Sequence, residues 1–128
     1  MPESGYYEKR PRREHQEFLV QGLLGRASVS DVERIDDFRF VVTRNGKSTI
    51  RVYLTNQYIL GITDAMEILG AAPDTTCIAS TMTYNQYSPE AKAYCRERGV
   101  GLFHSAELFS AVRFDGDRFV DYVRPKGR

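Results

Sequence analysis

The chain of 128 residues has no tryptophan, only two cysteines and two histidines, and a net charge of +1. Each scarcity excludes something. Cys77 and Cys95 stand apart from His15 and His104, so no close cluster of the zinc-binding kind exists. Two isolated cysteines fit free thiols in a reducing compartment. Near-neutral charge gives no global electrostatic pull toward nucleic acid or membrane. No apolar run approaches the roughly 20 residues needed to span a bilayer. The polar N-terminal stretch does not read as a secretory signal, so a cytoplasmic location is expected. There is no phosphate-cradling glycine motif, no serine nucleophile elbow and no His-Glu-x-x-His. Cys77 lies in an apolar segment, where thiols are usually inert.

What is present suffices for one domain: hydrophobic residues make up 41%, enough for a modest core at this length. The charge is unevenly placed. Lys9, Arg10, Arg12 and Arg13 cluster near one end, and Arg124, Lys126 and Arg128 at the other. Residues 1–12 are read as a flexible basic tail and 13–112 as the folded domain. Residues 113–128 are read as a small hairpin with a basic tail.

Within the domain, 13–27 reads as a helix, with Phe18, Leu19, Gly22 and Leu23 on one side. The stretch 38–55 reads as a hairpin turning at Asn45 and Gly46, a type I′ signal. On its second strand Ile50, Val52 and Leu54 alternate with Arg51, Tyr53 and Thr55, so the first set should face the core. A short helix is expected from Thr63 as N-cap, stopped by Gly70 and Pro73. A buried strand from Thr75, a polar loop, a helix and a second buried strand follow. Ser88, Pro89 and Gly99 supply that helix's cap, first turn and stop. Ser105 should cap a last short helix, and Asp115 with Gly116 should turn the terminal hairpin. Two strands joined through a helix should be parallel, so the sheet is mixed. The fold class is α/β.

The segment from Ser88 through Glu90, Ala91 and Gly99 to Phe103, followed by Ser105, Glu107 and Phe109, resembles the restriction-endonuclease-like fold, its Mrr-type branch in particular. The resemblance covers about residues 14–112 and implies a three-layer fold. It also implies an ancestry in metal-dependent phosphodiester cleavage, with acids holding Mg²⁺ and a lysine acting on the attacking water. On the resemblance, Asp36 or Asp37 matches the first acid, and Glu17 on the first helix is a further carboxylate. The Gln/Glu-x-Lys pair falls on Tyr53 and Thr55. There the chain departs from the family, because neither residue replaces a charged ligand or a lysine. Lys47 would serve only in a slipped alignment and belongs to the turn. The plainer reading of Asp36 and Asp37 is a turn.

The loop 82–88 lies between a parallel strand and a helix N-terminus, a common ligand position. Its Tyr84 and Tyr87 offer stacking faces, and its Asn85 and Gln86 offer hydrogen-bonding edges. Asn56 and Tyr58 should join that surface if the two loops are adjacent, bordered by Arg44, Lys47, Arg51 and Tyr53. A loop tied down by its own tyrosines is the bland alternative. His15 and His104 are read as ordinary packing or surface histidines.

Three functional readings follow. The leading one is a catalytically inactive nuclease-like domain, without metal or other cofactor. It would bind nucleic acid or a partner protein as an accessory subunit. The second is an active Mg²⁺-dependent nuclease using Asp37 or Asp36 with Glu17. The third is an interaction module forming a homodimer through Phe114, Phe119, Val120 and Tyr122, which need burial. No membrane partner is expected.

Overall fold

The computed structural model describes residues 9–57, 59–81 and 86–123, with the backbone alone for Gln86. In chain order the elements are α1 (Arg13–Leu24), β1 (Val29–Arg34), β2 (Arg39–Arg44), β3 (Ile50–Thr55), β4 (Ile59–Leu60) and α2 (Ile62–Ala71). After them come β5 (Cys77–Ser80), β6 (Gln86–Tyr87), α3 (Pro89–Glu97), β7 (Gly101–His104), α4 (Ser105–Ala111) and α5 (Asp117–Val120). The main sheet has five strands in the order β1-β2-β3-β5-β7. Its β1-β2-β3 half is antiparallel and its β3-β5-β7 half parallel. The mixed α/β sheet read from the sequence is therefore present. No helix among the described residues is long and apolar enough to cross a membrane.

Strand alternation divides the core between two faces. Phe40, Val42, Ile50, Val52, Leu54, Cys77, Ala79 and Phe103 pack against Leu19 and Leu23 of α1, Leu108 of α4 and Phe119 of α5. On the other face Ile78 and Leu102 pack against Ala65 and Ile68 of α2 and Ala91 and Cys95 of α3. The expected alternation of β3 holds: Ile50, Val52 and Leu54 are buried while Arg51 is exposed. The second face is only half covered. Tyr53 of β3 packs at the margin of the α2–α3 cluster, and Arg39 and Arg51 farther out are exposed.

Several local expectations are corrected. The β2–β3 connection is five residues, 45–49. Gly46 alone takes positive φ there (71°), so Asn45 does not form a type I′ turn. Strand β1 was not anticipated; it adds to the sheet edge, and its exposed Asp31, Glu33 and Arg34 discourage further pairing. Helix α2 begins at Ile62 rather than after Thr63, with Asp64 Oδ2 accepting from the Gly61 N–H at 2.8 Å, and it continues through Gly70. Ser105 begins α4 but its hydroxyl donates to Ser80 O, 2.9 Å away, while Glu107 accepts from the His104 N–H. Ser88 does cap α3, accepting from the Ala91 N–H at 3.0 Å, and Gly99 has the positive φ of 74° that a helix stop favours.

The terminal hairpin does not form. The chain turns at Gly116 and enters the short helix α5. Phe119 and Val120 are neighbours and both are buried. A strand would send them to opposite faces, whereas one helical turn leaves both against the core. Residues 9–12 are likewise part of the folded body rather than tail. Pro11 is buried, and Lys9 O accepts from the Asn56 N–H at 2.7 Å.

Candidate binding cleft beside the third strand

Register decides what lies around Tyr53. Its partner across the β2–β3 ladder is Arg39. Its ring stacks on Phe38, centroids 5.3 Å apart and planes 26° apart. Two residues on, Thr55 is buried and directs its hydroxyl at Lys9 O, 3.5 Å away. The chain before α1 thus crosses the end of β3. These contacts frame a cleft of about 560 Å³ whose lining includes Lys9, Arg10, Phe38, Tyr53, Asp64 and Glu67. Gln57, Ile68 and Ala71 complete its walls. Burial, with Asp36 nearby, raises the Tyr53 phenol above its ordinary range, so it stays a neutral hydrogen-bonding group.

The acids assigned by resemblance are engaged by arginines. Asp36 Oδ1 accepts from the backbone N–H groups of Phe38 (2.9 Å) and Arg39 (2.8 Å), and Oδ2 from Arg39 Nε (2.8 Å). Burial pushes this carboxyl up, but those hydrogen bonds outweigh it and hold the pKa below the ordinary value. This is the turn geometry of the plainer reading. Asp37 pairs with Arg34, and with Arg10 at 3.8 Å. Glu17 pairs with Arg13 at 3.4 Å. Glu17 and Asp37 do line one cleft of about 540 Å³, together with Arg13 and Arg34. Among the described residues no three His, Cys, Asp or Glu side chains come together to hold a metal. A hard cation needs several oxygen ligands with uncompensated charge, and this arrangement does not fit one.

The remaining surface residues separate. Arg44 is corrected outright. It is 5% exposed, and its guanidinium donates to Val112 O (2.8 Å), Phe114 O (2.6 Å), Ser48 O (2.9 Å) and Asp115 Oδ1 (2.9 Å). It holds the β2 end to the segment after α4 and is not open to a ligand. Lys47 is half-buried and lines a different groove, with Phe109 and Arg113. Arg51 is exposed, 3.9 Å from Asp74. Asn56 is buried, its Oδ1 accepting from the Thr81 hydroxyl. That bond sets Asn56 beside Thr81, and the parallel β4–β6 pairing sets Ile59 and Leu60 beside Gln86 and Tyr87. Tyr58, Tyr84 and Asn85 lie outside the described residues, as does the Gln86 side chain.

Tyr87 belongs to an internal polar network rather than an open surface. Its hydroxyl donates to Glu107 Oε1 at 2.9 Å, and its ring lies 5.2 Å from that of His104. Burial first, then the Glu107 charge, raises its pKa far above the ordinary range. Lys92 of α3 is buried beside it, donating to Leu102 O (2.8 Å) and Tyr122 O (3.0 Å), with Nζ 4.3 Å from the Phe103 ring centroid. Burial lowers the Lys92 pKa, opposed by Glu107. Ser80 and His104 are register partners, and Ser80 Oγ and His104 Nε2 are buried with no hydrogen-bond partner among the described residues.

Sequence reasoning missed Phe38, Lys9, Arg10, Gln57, Asp64 and Glu67 as cleft residues. A signal existed for Phe38 alone, which lies just before the strand that carries Tyr53's partner. The others come together only through the path of the chain before α1 and the packing of α2. Compared with known proteins, the chain matches no family model, and no curated protein or solved structure matches it significantly.

Proposed function

We propose that this protein is a restriction-endonuclease-like domain without metal-dependent catalysis, and that it binds nucleic acid or a partner protein through the cleft beside β3. One observation carries the reading. The acids that the resemblance assigns, Asp36 and Asp37, are bound to arginines, and Tyr53, where the Gln/Glu of the Gln/Glu-x-Lys pair would fall, has Arg39 across the ladder. A cation beside the strand repels Mg²⁺, and carboxylates already neutralised offer it little. The order α1, three antiparallel strands, α2, β5, α3, β7 further supports the scaffold.

The test is a plasmid-nicking assay with the wild-type chain and Asp37→Ala in Mg²⁺ and in Mn²⁺. No metal-dependent nicking is expected from either. Nicking by the wild type that disappears in Asp37→Ala would establish the nuclease alternative and end this reading. The argument for a homodimer through residues 113–123 loses its motive. Phe119 and Val120 belong to the chain's own core, with Phe114 and Tyr122 packed against it.

A further inference from the structure

We propose that the ligand of this cleft is a single nucleotide unit, free or at the end of a strand, with Lys9 meeting its phosphate and Tyr53 its base. The inference rests on the cleft being the binding site and goes on to name the ligand class. Its volume of about 560 Å³ suits a small molecule rather than a duplex face. The segment before α1 contributes the cations Lys9 and Arg10, the β2–β3 side the aromatic rings of Phe38 and Tyr53, and α2 the carboxylates Asp64 and Glu67. A nucleotide carries the matching groups: an anionic phosphate, a flat base, and sugar hydroxyls or exocyclic amines that donate to carboxylates.

The mixed charge also argues against duplex DNA. Tight duplex binding needs many phosphate contacts, and Asp64 and Glu67 in the same cleft would repel a run of phosphates. The whole chain's net charge of +1 adds no compensating field. One phosphate beside Lys9 is tolerated where a track of them is not. Asp64 accepts from the Gly61 N–H, so that carboxylate is positioned before a ligand arrives.

The test is a titration of the full chain, followed by amide NMR shifts, with four probes. They are deoxynucleoside 5′-monophosphates, the unphosphorylated nucleosides, a short 5′-phosphorylated single strand, and its duplex. The monophosphate should move the amides of Tyr53, Gln57 and Glu67 and bind about tenfold more tightly than the nucleoside, as a charge-assisted contact implies. Lys9→Glu should weaken the monophosphate far more than the nucleoside and so remove that advantage; Lys9 is exposed, so the variant keeps its fold. Tyr53→Leu should weaken both probes by about tenfold through lost stacking. A single strand that binds at least as well as the monophosphate places the ligand at a strand end, and weaker binding makes it a free nucleotide. The proposal is overturned if no probe moves these amides, if the duplex binds best, or if Lys9→Glu leaves phosphate binding intact. Metal-dependent nicking would sink the non-catalytic reading regardless of these results. A cleft that takes no nucleotide, in a protein that does not nick, sinks this inference alone.

Discussion

Arg44 and Asp115 show how one ion pair, a buried guanidinium with an exposed carboxylate, organises an end of the molecule. Arg44 stands on β2 where alternation directs it inward, and the carbonyls of Val112 and Phe114 with Asp115 receive it there. Its planar fork reaches several acceptors at once, which an ammonium does not. Burial lowers the Arg44 pKa and Asp115 raises it again. Asp115 is in turn held at about 2, from an ordinary 3.8. Hydrogen bonds from the Ser48 hydroxyl and Ser48 N–H come first, opposed by burial and helped by the Gly116 N–H and Arg44. A folded-state pKa below the unfolded one means the folded chain binds fewer protons in that range. The Asp115 contribution is therefore complete above about pH 4 and lost as pH falls toward 2. Asp115→Asn should be less stable at neutral pH and should show a flatter loss of stability between those limits. Urea unfolding at a series of pH values reads this, and a slope equal to the wild type's would refute it.

At the scale of elements, glycines separate local propensity from packing. Gly22 lies within α1, where helix propensity favours alanine by about 1 kcal/mol. A Cβ there would overlap the ring of Phe109 on α4, and that ring already packs on Phe18, centroids 5.3 Å apart. Gly22→Ala should therefore destabilise the protein, by about 1–3 kcal/mol as overpacking does. Gly70 in α2 has open space where its Cβ would be, so Gly70→Ala should stabilise by up to about 1 kcal/mol. Thermal or urea melts of the two variants should move in opposite directions; movement in the same direction would mean that α1 and α4 are less closely packed than described. Helix α3 was legible because its signals are local: Ser88, Pro89 and Gly99 act within a turn of their own positions. Strand β1 was not, because only Val29 is buried and Val32 half-buried, too little alternation to stand out.

For the whole molecule, the C-terminal segment is structural. Phe119 packs edge-on to Phe103, centroids 5.3 Å apart, and lies under the Arg44 guanidinium. Lys92 ties the same region together by donating to Leu102 O on β7 and Tyr122 O beyond α5. Phe119→Ala should cost about 3–5 kcal/mol, visible as a lower urea midpoint with an unchanged slope. A loss below about 1 kcal/mol would mean that α5 is an ornament rather than part of the core.

The sequence by itself determined the α/β class, the β2–β3 pairing, the inward set Ile50, Val52 and Leu54, and the capped helix between parallel strands. These follow from periodicity and from caps that act over a few residues. Tertiary structure alone decided the rest. Whether Arg44 is a surface cation or a buried clamp depends on Asp115, seventy-one residues away. Whether 113–123 is a hairpin or a helix depends on the core that Phe119 and Val120 enter. The cleft assembles Lys9, Phe38, Tyr53 and Glu67 from four separate stretches of chain, because burial and charge pairing act through space and leave no local mark on the residues they join.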